Sequence, residues 1–104
     1  MIQFISNLLG LGPKVNYREL VSGGATIVDV RTKGEYQSGH VKGSVNIPLQ
    51  SIQSQFNRIP KNKPVITCCA SGMRSGQAKS FLKSQGYDVH NGGGWASLEQ
   101  KLRK

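Results

Sequence analysis

The chain has 104 residues, 37% of them hydrophobic and 18% charged, with 14 Lys and Arg against 5 Asp and Glu, a formal net charge of +9 and two cysteines. That length suits one domain and excludes a composite enzyme, and the composition excludes intrinsic disorder. The adjacency of Cys68 and Cys69 and the separation of His40 from His90 exclude a disulfide framework and a zinc site, while the charge demands an anionic partner without saying which.

Residues 1–15 read as an N-terminal apolar segment and residues 16–104 as the domain. Met1 to Leu11 has no basic residues ahead of its apolar run and no small-residue cleavage site, so it is not read as a signal peptide. It is also far shorter than the roughly 20 residues a membrane-spanning helix needs. The expectation is a soluble, cytoplasmic protein with no transmembrane segment. Ile2, Ile5, Leu8 and Leu9 share a helical face that could pack on the domain, on a partner or on a membrane surface.

Asn16 with Glu19 predicts a capped short helix through Val21, and Ser22-Gly23-Gly24 a turn. Ala25 to Val30 is β-branched and nearly all apolar, as a buried parallel strand should be. Thr32 with Glu35 fits a capping box for a helix over Thr32 to Gln37, weakened by about 1 kcal/mol at Gly34. Short strands are predicted at Ser44 to Ile47 and Pro64 to Cys68, with a helical pattern of Leu49, Ile52, Phe56 and Ile59 between them. Ser75 to Gln85 presents Ala78, Phe81 and Leu82 on one face and stops at Gly86. Asp88 to Asn91 suits a last strand, and Trp95, Leu98 and Leu102 a last helix. Strand and helix alternate, so the fold class is α/β, a mainly parallel sheet flanked by helices.

The chemistry gathers where the strand ending at Cys68 meets Cys69-Ala70-Ser71-Gly72-Met73-Arg74-Ser75, directly before a helix. Sites in open α/β sheets form outside the carboxyl ends of strands, and a helix N-terminus offers unpaired amides with partial positive charge. Both favour a thiolate. A loop that curls back aims its amides inward as a nest for an anion, and Gly72 supplies the backbone freedom for the curl. Side chains alternate along a strand, so Cys68 faces the core as a small hydrophobe and Cys69 opens the loop as the nucleophile. A resolving role for Cys68 stays open. Arg74 either attracts an anionic substrate or braces the loop. The glycines Gly92 to Gly94 lack a following phosphate-loop lysine, so they do not indicate a nucleotide site.

Several blocks in order, Asp29-Val30-Arg31, Glu35-Tyr36, Gly39 to Pro48, Cys69 to Ser75, Gly92-Gly93 and Trp95, resemble the single-domain rhodaneses, or thiosulfate sulfurtransferases, over about Tyr17 to Leu98. The resemblance implies a small three-layer rhodanese-like domain and a two-step sulfur transfer. Cys69 would take the outer sulfur of thiosulfate or a related small anionic donor, release sulfite and become a persulfide. A thiol, cyanide or a protein acceptor would then discharge it, without metal or cofactor. Ala70, Ser71, Gly72, Met73, Arg74 and Ser75 would hold the substrate, with Asp29, Arg31, His40 and Trp95 as structural support. Phosphatases with a cysteine nucleophile resemble this design, but they place five residues between Cys and Arg where this chain has the four from Ala70 to Met73. The smaller loop suits a persulfide sulfur.

The alternatives are a carrier that accepts persulfide from a protein donor, or a module that merely binds a partner. Nucleic-acid binding rests on charge alone and is set aside, since aromatics are 7% and no binding motif is present. Tyr36 to Tyr87 contains seven Lys and Arg and no carboxylate side chain, which centres the charge on the Cys69 loop in sequence. That placement predicts salt-sensitive steering of a small oxyanion.

Overall fold

The alternation of β-branched runs with capped helical patterns resolves into a four-stranded, all-parallel sheet of order β2-β1-β3-β4. The structure is a computed structural model and describes residues 15–103. The apolar face expected at Ile2, Ile5, Leu8 and Leu9 lies outside the described residues. In chain order the elements are α1 (Tyr17–Ser22), β1 (Thr26–Asp29), α2 (Lys33–Ser38), β2 (Val45–Asn46), α3 (Ile52–Gln55) between two short 3-10 turns, β3 (Val65–Cys69), α4 (Met73–Ser84), β4 (Val89–Gly94) and α5 (Trp95–Arg103).

Local chemistry sets the helix starts. Asn16 Oδ1 accepts from the Glu19 amide, and Thr32 and Glu35 close a reciprocal capping box. The helix expected from Ser75 begins two residues earlier, at Met73. Gly72 at φ +106° turns the chain sharply enough to bring Arg74 and Ser75 into the first helical turn. β2 is only two residues long, because Ser44 ends a turn and Pro48 cannot continue a ladder.

The period-2 alternation of β3 divides the core in two. Val65 and Cys69 face one side, with Val28, Val30, Ile47 and Ile52 and with Ala78 and Leu82 of α4. Ile66 and Cys68 face the other, with Ile27, Val41 and Leu98 of α5 and the α1 side chains Tyr17, Leu20 and Val21. The three layers are thus α1 and α5, the sheet, and α3 and α4. Fully burying a side chain such as Leu98 is worth about 1.5–3 kcal/mol.

Two features place the site. After β1 the chain adds β2 on one side and then crosses back to lay β3 on the other, so a crevice opens outside the carboxyl ends of β1 and β3. β4 also runs longer than expected, through the glycine triplet, and its register against β3 slips by one residue: Thr67 pairs with Asn91, but Cys69 pairs with Gly94. Gly93, at φ +78°, takes up the extra residue as a bulge beside Cys69.

Candidate active site

Cys69 ends β3 in the crevice, and the loop Ala70 to Gly72 folds back over it. The Gly72 amide donates to Cys69 Sγ at 2.9 Å, and the Ser75 hydroxyl lies 3.3 Å from the same sulfur. Burial pushes the Cys69 thiol up. Hydrogen bonds from the Ser75 hydroxyl and from the amides of Ser75, Gly72 and Ser71 outweigh it, so the net shift is downward. This is the nest expected from the sequence, made by amides on both sides of Gly72 and completed by a hydroxyl.

Strand β4 presses the loop into place. A Cβ on Gly94 would stand 2.8 Å from the Ala70 carbonyl oxygen, and one on Gly92 2.9 Å from Ile66 Cγ2. Only glycine lets the two backbones approach this closely. The triplet read from sequence as an empty phosphate motif is therefore the wall against which the Cys69 loop is shaped.

Asn91 ties wall to loop, and sequence reasoning missed it. Its Oδ1 accepts from the Ser75 hydroxyl at 2.7 Å and from the Gly93 amide at 2.9 Å, and its Nδ2 donates to the Gly72 carbonyl at 3.1 Å. No local signal marks it, because its partners Ser75 and Gly72 lie 16 and 19 residues away. Thr67 Oγ1 donates to the Ser75 carbonyl at 2.9 Å, securing the start of α4 to β3.

Arg74 leaves the loop mouth toward α2. Its Nη1 and Nη2 donate to Glu35 Oε1 at 2.7 Å and Oε2 at 3.0 Å in a two-pronged pair, which holds the Glu35 carboxyl down at about 2. Of the two roles expected for Arg74, bracing is the one this geometry supports. Glu35, expected only as a helix cap, serves both α2 and α4.

The supporting residues meet one another. Asp29, fully buried, accepts from the Arg31 amide at 3.0 Å and from Arg31 Nη2 at 2.7 Å. Arg31 also donates to the carbonyls of Glu35 and Gly39, and its guanidinium lies 4.8 Å from the centre of the Trp95 ring. The pair thereby joins β1, α2 and α5. His40 stacks on Tyr36 with ring centres 3.7 Å apart and donates from Nδ1 to the Tyr36 carbonyl at 2.7 Å, the turn anchor expected of it. Ala70, Ser71 and Met73 are exposed at the rim, Met73 to 76%. A cleft of about 340 Å³ adjoins Arg74, between Val30, Lys33, Pro48 and Leu49. A more open depression of about 620 Å³ lies between α1 and Leu102, away from the loop.

The fold that carries this site has counterparts in known proteins. The family model of the rhodanese-like domain matches residues 13–101. The chain belongs to the rhodanese-like family. Among its relatives, the thiosulfate sulfurtransferase PspE of Escherichia coli is 43% identical over 70 residues, 64% of this chain and 67% of that protein. A rhodanese-like domain protein of Staphylococcus aureus superposes with a TM-score of 0.70 at 31% identity, covering 80% of this chain and 81% of that one. The structure of an Escherichia coli rhodanese with anions gives 0.61 at 38%, covering 71% and 91%. Against three other curated relatives the chain spans 33% to 57% of their length.

Within the rhodanese-like frame, two of the basic residues that flank the loop in sequence lie far from it in space. Lys63 lies along Gly24 before β1, and Lys61 sits over the Tyr87 ring before β4, both at the end of the sheet opposite Cys69. Of the seven basic residues between Tyr36 and Tyr87, Lys61 and Lys63 thus stand away from the loop and Arg74 is paired to Glu35.

Proposed function

We propose that this rhodanese-like chain is a sulfurtransferase that moves a sulfane sulfur from thiosulfate, or a related small anionic donor, to a thiol, cyanide or protein acceptor through a persulfide on Cys69. The observation that carries the proposal is the cradle around Cys69 Sγ, with the Gly72 amide at 2.9 Å and the Ser75 hydroxyl at 3.3 Å. Such preorganised donors stabilise a sulfur anion before and after the transfer. The name of the Escherichia coli relative supports thiosulfate as donor.

In the first step the Cys69 thiolate attacks the outer sulfur of thiosulfate. A Sγ–S bond forms, the bond to the sulfonate sulfur breaks, and sulfite departs with its electron pair. The terminal sulfur of the persulfide then lies under the amides of Ala70 to Ser75. In the second step the acceptor attacks that sulfur, and Cys69 leaves as the thiolate it began as. An already ionised thiol needs no general base. Arg74, joined to Glu35, holds the loop mouth open toward the cleft beside Val30 and Leu49. A cytoplasmic setting belongs to the same reading, since two free cysteines fit a reducing compartment.

Intact mass after thiosulfate treatment tests the proposal. The wild type should gain one sulfur atom and release thiocyanate on adding cyanide, and Cys69→Ser should do neither. Undiminished sulfur loading in Cys69→Ser would overturn it.

A further inference from the structure

The Ser75 hydroxyl has one proton and two neighbours that can accept it, Asn91 Oδ1 at 2.7 Å and Cys69 Sγ at 3.3 Å. The orientation of the Asn91 amide is fixed. Oδ1 receives the Gly93 amide and Nδ2 meets the Gly72 carbonyl, and a flipped amide would set N–H against N–H and oxygen against oxygen. The side chain facing Ser75 is therefore an acceptor. With Cys69 protonated, every donor in the chain is used: S–H gives to Ser75 Oγ, and Ser75 O–H gives to Asn91. With Cys69 ionised, a sulfur anion at 3.3 Å needs that same hydroxyl proton, while Asn91 Oδ1 keeps the Gly93 amide and is not left bare.

We propose that Asn91 is a positioning residue for the nucleophile: its side-chain oxygen holds the Ser75 proton away from Cys69 while the thiol is protonated, and ionisation requires that proton to turn to sulfur. The S–H proton leaves to solvent, the Ser75 proton rotates about its own C–O bond, and no other bond changes. The inference rests on the reading of Cys69 as the nucleophile. The charged and titratable groups on the elements around Cys69 are Arg74, Lys79 and Lys83 of α4, Lys33 and Glu35 of α2, with Glu35 holding Arg74, Cys68 on β3, and the Asp29–Arg31 pair at the end of β1. Asp88, just before β4, and His90 on it lie 3.6 Å apart, at the start of the strand. Asn91→Leu leaves the number of these charges unchanged, and Asn91→Asp adds one.

The test is the pH dependence of Cys69 alkylation by iodoacetamide, followed by peptide mass, in Asn91→Leu and Asn91→Asp, each with Ser75 and with Ser75→Ala. Asn91→Leu removes the competing acceptor, and Cys69 should react about threefold faster below its midpoint. Asn91→Asp strengthens the acceptor, and Cys69 should react about tenfold slower. In the Ser75→Ala background the gain from Asn91→Leu should vanish, and the loss from Asn91→Asp should shrink to the through-space effect of its new carboxylate, which raises a nearby thiol with or without the hydroxyl. Slowing in both variants, the result of a merely loosened loop, would overturn the proposal, as would differences of undiminished size without the Ser75 hydroxyl. Should Asn91→Leu fail to fold, Asn91→Asp decides alone: slowing that is clearly smaller with Ser75→Ala supports the proposal, and no slowing, or slowing that Ser75→Ala leaves undiminished, overturns it. Alkylation does not require sulfur transfer. A protein that shows these shifts but takes no sulfur from thiosulfate would refute the proposed activity and leave the role of Asn91 standing.

Discussion

Cys68 and Cys69 are consecutive residues of one strand, 0% and 1% exposed, yet the fold gives them opposite chemistry. Cys68 points into the layer of Ile27, Ile66 and Leu98, where burial and then the nearby Asp29 charge push its thiol up to about 12. Cys69, equally hidden, points at a hydroxyl and several amides, and its thiol is drawn down. Exposure does not separate the two. What separates them is the supply of donors, which β3 delivers to one face only because its last residue meets a helix start and a bulged strand.

The comparison breaks most readily on reactivity. At neutral pH, under native conditions, iodoacetamide should modify Cys69 at least about a thousandfold faster than Cys68, the ratio of thiolate fractions that these opposite shifts set. Cys68→Ser should accordingly still load sulfur from thiosulfate, and comparable labelling of both cysteines in peptide maps would end the distinction. A middle-sized effect is expected at the wall. Gly94→Ala should lose roughly 1–3 kcal/mol in urea unfolding and slow Cys69 alkylation, because its Cβ meets the Ala70 carbonyl. Gly34→Ala has nothing within 4 Å and should be neutral or more stable by about 0.5–1 kcal/mol. Equal behaviour of the two variants would show that the close approach does not shape the loop.

The smallest effect concerns the brace. Glu35 sits at about 2 in the folded chain against 4.5 for a free side chain, so its contribution is complete above about 4.5 and disappears as the pH falls through about 2. Glu35→Gln, compared with wild type in denaturation from pH 5 to 2, should differ most at the upper end and converge at the lower. A constant difference would mean that ionisation of Glu35 is not what holds Arg74.

Much of this was legible in the chain. The Asn16 and Thr32 caps, the buried first strand, the alternation that separates the cysteines and the turn at Gly72 are local properties, written within a few residues of where they act. The rest depends on distant partners. Arg74 meets Glu35 across 39 residues, and Asn91 reaches Ser75 across 16. The extension of β4 through three glycines contradicts strand propensity, since a residue without a side chain weakens a strand unless something must come close. Here the Ala70 carbonyl does, and no window of sequence shows that contact.

The glycine wall also bears on how such a site could diverge. Gly92 and Gly94 admit no side chain, Asn91 and Ser75 are committed to hydrogen bonds, and Arg74 is committed to Glu35. Ala70, Ser71 and Met73 alternate with these fixed points and stand exposed around the sulfur. Substitution at those three positions can change what approaches Cys69 while leaving the backbone donors beneath it in place, so under the proposed function the choice of sulfur donor or acceptor could drift at the rim while the cradle at the base stays the same.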